Sequence, residues 1–214
     1  MHETGYLTAG QMVGAFQLLR SNDLLWSRMV GEYLMGERAP MIDLMAWNAD
    51  ATRMPERMHS QYLRRLFLND DLSEGRYPVG GRPVSLSDIA TPIFCVATTQ
   101  DHVAPWRSVF KLHYLTPAEI TFVLTSGGHN AGIVSEPGRP RRHYQVLRRA
   151  AGGNYVAPDA WLAAAPRRDS SWWPEWSAWL QARSGQPVPP PASGAPDRGY
   201  PVVDDAPGEY VRQK

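Results

Sequence analysis

Two residues carry the strongest case for chemistry in this chain: Asp101, in the segment ATTQDHVAPW, and His129, in LTSGGHNAG. A carboxylate beside an imidazole is the core of a general base. The acid fixes one tautomer of the ring and stabilises the imidazolium that forms when the ring takes a proton. The two residues stand 28 positions apart (129 − 101), so the chain must fold back to join them. Each also has an ordinary explanation. Asp101 could cap a helix opening near Pro105, and a glycine-flanked histidine reads equally well as a solvated loop residue. Spacing by itself leaves both readings open.

The elements around them decide whether they can meet. Thr91 to Thr98 (TPIFCVAT) and Glu119 to Thr125 (EITFVLT) are apolar and β-branched without strict alternation. Such runs belong to strands buried on both faces, as in a parallel sheet. Between them, Pro105 and Trp106 open a helical stretch to about Leu115, proline being suited to a first helical turn. Strand, helix, strand makes a βαβ unit. Asp101 and His129 then follow the ends of adjacent strands about 4.8 Å apart, the edge where open α/β sheets collect their catalytic groups. Acid before histidine on consecutive strand ends is the chain order of an α/β-hydrolase triad.

Such a triad needs a nucleophile on a Gly-x-Ser/Cys-x-Gly elbow, and no such motif occurs among these 214 residues. The one cysteine, Cys95, lies mid-strand between Phe94 and Val96, where a thiol acts as a small hydrophobe with a raised pKa. The elbow is expected before residue 1, with the first strands of the sheet, which leaves an unpaired strand edge here. A single cysteine excludes an intrachain disulfide and fits a reducing cytoplasm. A net charge of +1 gives no electrostatic reason to expect nucleic acid or an anionic membrane. No apolar stretch is long enough to span a bilayer, and MHETGYLTAGQ lacks the pattern of a signal peptide. No metal site is expected.

On either side of this unit the composition changes. Residues 11–70 read as helical, with Met12, Phe16 and Leu19, then Leu25, Met29 and Tyr33, at helical spacing. Asn22 is the expected N-cap and Gly36 the C-cap. A further helix is expected over Pro55 to Leu68, burying Met58, Tyr62, Leu66 and Phe67, with no strand in the region. YPVGGRPVSLSDI is a turn-rich connector broken at Gly80-Gly81. After Pro137 come the basic loop RPRRH and helices at DAWLAAA and PEWSAWLQAR. From about Gly185 the run QPVPPPASGAPDRGYP reads as an extended tail along the surface. The expected organisation is a helical region over 1–75, a core over 76–184 and a tail over 185–214.

Several segments resemble poly(3-hydroxyalkanoate) synthases. They include GYLTAGQMVGAFQLLRSNDLLW, DLMAWNADATRMPERMHSQYLRRLFL, GRPVSLSDIATPIF, QDHVAPW, FVLTSGGHNAGIV, SWWPEWSAWL and the closing APGEYV. The resemblance runs from about Tyr6 to the C-terminus and looks closest to the single-chain types that use short 3-hydroxyacyl thioesters. It implies the C-terminal portion of an α/β-hydrolase fold with a helical cap. It also implies polymerisation of (R)-3-hydroxyacyl-CoA into a polyester with release of CoA, by a cysteine nucleophile that this chain lacks. His129 would be the general base, and Asp101 would orient it or help deprotonate the 3-hydroxyl. His102, in the same motif, would support the acid loop or simply bond within its turn. The thioester is substrate, so no cofactor is expected. A homodimer through the cap and a cytoplasmic place at polymer granules are implied too, as is inactivity of this chain alone. Trp26 and Trp47 would be cap core or dimer contacts. Trp172, Trp173, Trp176 and Trp179 read first as packing a terminal helix onto the body, and the RPRRH arginines as a solvated loop or as contacts for CoA phosphates. Two rival readings are the half-site of another α/β-hydrolase (an esterase or polymer depolymerase) and a non-catalytic synthase-binding or granule-coating protein.

Overall fold

The computed structural model describes residues 4–8, 10–12, 14, 26, 29–37, 53–206 and 208–209. The chain divides into two units, one of residues 1–69 with 189–214 and one of residues 70–188.

In the first unit, β1 (Tyr6–Leu7) pairs antiparallel with β2 (Met54–Pro55), with Tyr6 opposite Pro55. The Arg53 guanidinium lies over the Tyr6 ring, 5.1 Å from its centre. This short ladder interrupts a region expected to be helical throughout. Pro55, fixed in φ and lacking an N–H, takes an extended place before α1 (Glu56–Tyr62). The helix then widens into a π-helical turn, Leu63–Leu68. The face expected to be buried is open, with Met58 56%, Tyr62 55% and Phe67 76% exposed, while Leu66 is half-buried. The apolar stripe of α1 is thus not core packing. A second π-helical turn spans Met29–Leu34, where Met29 and Tyr33 are also exposed, and ends at Gly36 in the left-handed region. Asn22, Leu25, Phe16, Leu19 and Trp47 lie outside the described residues. In the tail, a single 3₁₀ turn, Pro196–Arg198, is closed by a bridge between Ala195 and Tyr200.

The second unit opens with a hairpin of β3 (Tyr77–Val79) and β4 (Arg82–Val84), turned by Gly80 and Gly81 at φ +56° and +79°. Two left-handed central residues are what a type I′ turn requires, one of the turns whose twist matches that of the flanking strands. Its main sheet runs β5 (Ile93–Thr98), β6 (Ile120–Thr125), β7 (His143–Arg149), β8 (Arg167–Asp169) in that spatial order. β5 and β6 are parallel, with Ile93 opposite Ile120 and Thr98 opposite Thr125, and β7 and β8 are antiparallel to their neighbours. Among the described residues β5 and β8 are the edge strands of this sheet. The crossover holds two short helices, α2 (Trp106–Val109) and α3 (Leu112–Leu115), rather than one, with Pro105 preceding the first. β7 and β8 were not expected. β7 alternates buried Tyr144 and Val146 with less buried neighbours, a pattern obscured by the arginines at both its ends.

Both faces of β6 are covered, which is why its sequence is apolar without alternation. Ile120, Phe122 and Leu124 join Ala97, Phe110 and Trp161 in one core cluster. The Phe122 ring meets Trp161 edge-on at 5.1 Å. Trp161 comes from α4 (Pro158–Ala164), which covers this side. Val123 joins Tyr144, Val146 and Trp172 on the other side. There Phe94 meets Trp172 at 6.2 Å and Trp179 at 5.6 Å, the latter from α5 (Trp173–Gln181). Removing Trp161 to alanine is worth about 3–5 kcal/mol by analogy with other buried aromatics. The unit is a mixed α/β layer structure with one sheet covered on both faces.

Candidate active site

The site starts where β5 and β6 end together. Past the last strand residues the two chains stay joined, Thr99 N–H to the Thr125 carbonyl at 2.9 Å and Gln100 N–H to the Gly127 carbonyl at 3.0 Å. Beyond that they diverge into two loops, one carrying Asp101 and the other His129.

The Asp101 loop is a tight turn held by the acid itself. Its Oδ1 accepts hydrogen bonds from the Val103 N–H (2.9 Å) and the Ala104 N–H (2.8 Å). Its Oδ2 accepts from His129 Nδ1 at 2.8 Å. Asp101 does not cap α2, whose N-cap is Pro105 without a side-chain bond; one of its oxygens organises the turn before the helix and the other meets the histidine. Burial raises the carboxyl pKa, but the N–H groups of Ala104 and Val103 and the His129 ring outweigh it and hold the group below its ordinary value. Because a carboxylate can only accept, Nδ1 carries the proton and Nε2 is left as the free base of the neutral ring. The Asp101 side chain is 9% exposed and that of His129 46%, so the acid is sheltered and the base reaches outward.

The His129 loop depends on two glycines. Gly127 adopts φ +108°, and a Cβ there would stand 2.5 Å from Arg142 Nη1. A Cβ on Gly132 would stand 2.6 Å from Thr98 Cγ2 and 2.8 Å from the Gly128 carbonyl. Both positions need close backbone approach, which only glycine permits. The loop closes with a Gly132 N–H to Gly128 carbonyl bond of 2.9 Å.

The other singled-out residues separate cleanly. His102 is exposed in the acid turn, whose bonds are made by Asp101, Val103 and Ala104. Cys95 sits on the Phe122 side of the sheet, and burial pushes its thiol up to about 11, so it is a packing residue. Trp172 and Trp179 pack on Phe94, Trp173 donates to the Ile133 carbonyl at 3.0 Å, and Trp176 is exposed. Arg139, Arg141 and Arg142 line a groove of about 680 Å³ with His143 and Arg167. Among the described residues no group of three or more His, Cys, Asp or Glu is arranged to hold a metal ion, and no helix is long and apolar enough to cross a membrane. Sequence reasoning did not single out Gly127, Gly132 or Thr98, which shape the loops. The SGGHNAG glycines were the visible signal.

No protein-family model matches the chain. Whole proteins do. The chain is 41% identical over its full length to the poly(3-hydroxyalkanoate) polymerase of Methylorubrum extorquens, covering 34% of that protein. It is 39% identical over 99% of its length to the poly(3-hydroxyalkanoate) polymerase subunit PhaC of Rhizobium meliloti (strain 1021), again 34% of the relative. With the PhaC subunit of Cupriavidus necator it shares 34% identity over 95% of the chain. This chain is a relative of the poly(3-hydroxyalkanoate) polymerases. It spans about a third of the length of the curated relatives it matches, the C-terminal third. Among relatives so named, neither an esterase nor a granule-coating protein is favoured as the reading of this chain.

Proposed function

We propose that this chain supplies the acid and base of a polyhydroxyalkanoate polymerase, a Cys-His-Asp acyltransferase on an α/β-hydrolase fold. The observation that carries this reading is the 2.8 Å bond between His129 Nδ1 and Asp101 Oδ2, formed from loops that leave adjacent parallel strands. The names of the relatives supply the substrate class.

In the intact site, His129 Nε2 takes the proton of a cysteine thiol contributed by the remainder of the polymerase. The thiolate attacks the carbonyl of (R)-3-hydroxyacyl-CoA, a C–S bond forms, and the bond to CoA breaks. The imidazolium returns its proton to the departing CoA thiolate. In the next half-reaction the 3-hydroxyl of one unit loses its proton to the same pair and attacks the thioester of the other. The C–O ester bond forms as the C–S bond of that thioester breaks, the released thiolate takes the proton back from the imidazolium, and the polyester grows by one unit. Asp101 holds the ring in the tautomer whose Nε2 can accept, and stabilises the imidazolium. The arginine-lined groove supports contacts with the CoA phosphates, since guanidinium groups pair well with them.

On this reading residues 1–75 form the cap and 76–184 the core, with 185–214 a terminal tail. The exposed apolar side chains of α1 fit a cap that pairs in a homodimer. The polymer product accounts for a place at granules. The chain by itself is inactive, because no Gly-x-Cys-x-Gly elbow occurs in it.

The test is His129→Ala at the matching position of an intact polymerase. CoA release should fall by at least about 10³-fold, with the protein still folded. Release at the wild-type rate would remove His129 from the mechanism.

A further inference from the structure

The guanidinium of Arg142 lies outside the acid–base pair, yet it touches the loop on which the pair depends. Its Nη1 donates to the Ser126 carbonyl at 3.3 Å, and it is pressed so close to Gly127 that a Cβ there would fall 2.5 Å from it. Ser126 and Gly127 are the first residues after β6, three and two positions before His129.

The backbone of Arg142 is itself fixed. Its carbonyl accepts the Ser170 N–H at 2.7 Å. The next residue, His143, donates its N–H to Ser126 Oγ at 3.1 Å and accepts the Ser126 N–H at 2.9 Å. The far side of the same loop is tied to the acid turn, because the Gly127 carbonyl accepts the N–H of Gln100, the neighbour of Asp101. Gly127 is thus held between Arg142 on one side and the Asp101 turn on the other. Arg139 pairs with Glu136, and Arg167 approaches Asp169. Among the described residues no carboxylate pairs with Arg142. Among the described residues its side chain makes one hydrogen bond, to the Ser126 carbonyl.

From this arrangement we infer that Arg142 is a positioning residue. It sets the height of the Ser126–His129 segment so that Nδ1 reaches Asp101 Oδ2 and Nε2 stays free. A charged group bonded to a single carbonyl adds little to stability, but it fixes the loop where a shift of about 1 Å is costly to catalysis. The inference rests on the acid–base reading of His129 for its functional meaning. Its structural content stands apart and is tested without turnover.

The experiment uses this chain labelled with ¹⁵N and reads the tautomer of His129 from its two ring nitrogens by long-range ¹H–¹⁵N correlation. The wild type should show the Nδ1–H tautomer as the dominant form. Arg142→Ala should convert it to a mixture, with the methyl signals of Val123 and Val146 unmoved. Gly127→Ala should do the same although the arginine is still present, because the new Cβ displaces the guanidinium. Arg142→Lys, which can still donate to Ser126, should recover part of the wild-type signal. The inference is overturned if Arg142→Ala keeps the wild-type tautomer, or if the wild type itself shows a mixture. Should Arg142→Ala move the core methyls, Arg142→Lys decides: a partial change of tautomer upholds the inference and a wild-type spectrum overturns it. Failure of the catalytic reading is seen separately, as CoA release that survives His129→Ala.

Discussion

The two ends of β6 use the same residue types for opposite purposes. At its C-terminal end stand His129 and Arg142, and near its N-terminal end His113 and Arg149. Both histidines engage Nδ1, His129 with the Asp101 carboxylate at 2.8 Å and His113 with the Phe110 carbonyl at 3.0 Å. Both arginines donate to backbone carbonyls. The difference lies in the partner and in water. A carboxylate can stabilise an imidazolium and a half-exposed Nε2 can reach a substrate, whereas a carbonyl adds no charge. His113 is 5% exposed, stacks on Phe110 at 4.0 Å and has no partner for Nε2 among the described residues. On the proposed reading one end moves a proton, while the other excludes one.

The largest effect expected from this contrast is at Asp101. Asn at this position can still accept the N–H groups of Val103 and Ala104 through its oxygen, so the turn persists. Its NH₂ then faces Nδ1 and forces the ring into the Nε2–H tautomer, which cannot take a proton from a thiol. In an intact polymerase Asp101→Asn should cut the rate by about 10³–10⁴-fold, by analogy with other triads, at nearly unchanged melting temperature. A rate within tenfold of wild type would mean that His129 needs no carboxylate, and the contrast between the two histidines would collapse.

The next effect is on stability and belongs to the other end. Arg149 donates to the carbonyls of His113 (2.5 Å), Thr116 and Ala118 (both 2.7 Å), all three residues being buried. It joins the end of β7 to the connection between α3 and β6. Arg149→Ala strands these carbonyls and should cost about 3 kcal/mol, since each buried unsatisfied group costs roughly 1–3. Arg142→Ala, which frees one carbonyl through a longer bond, should cost about 1 kcal/mol or less. Denaturant unfolding of the two variants side by side checks this. Equal losses would show that the arginines at the two ends do the same work.

Much of this contrast could be read from the sequence, and the limits follow from physics. β5 and β6 were legible because strands covered on both faces carry apolar or β-branched residues without alternation, as ITFVLT does. Asp101 and His129 were legible because the ends of such strands place loops side by side. The part played by Arg142 was not, because its contact with Gly127 depends on the reversal into β7, and HYQVLRR hides its alternation among charges. The inward face assigned to α1 failed for a different reason. The four-residue spacing of Met58 and Tyr62 says that they share a stripe, and says nothing about whether anything covers it.

The smallest expected effect is the pH dependence of stability, and it separates His113 from Asp101 by the pH at which each loses its contribution. Burial lowers the His113 pKa, the Phe110 carbonyl partly opposes this, and the Arg149 charge adds to the lowering. A folded-state pKa below the unfolded one means that the unfolded chain binds the extra proton first. Stability from this group is therefore fully present above the unfolded value of about 6.5 and is lost as pH falls below it. The lowered pKa of Asp101 acts in the same direction but further down, below about pH 4, where that carboxyl takes its proton in the unfolded chain. Melting temperature should thus decline between pH 7 and pH 5 with Asp101 still ionised. His113→Phe should flatten that decline while leaving the steeper loss below pH 4. His143, whose pKa burial and Arg167 also lower, accounts for the slope that remains. An unaltered decline in His113→Phe would show that the buried histidine at the N-terminal end carries no proton penalty.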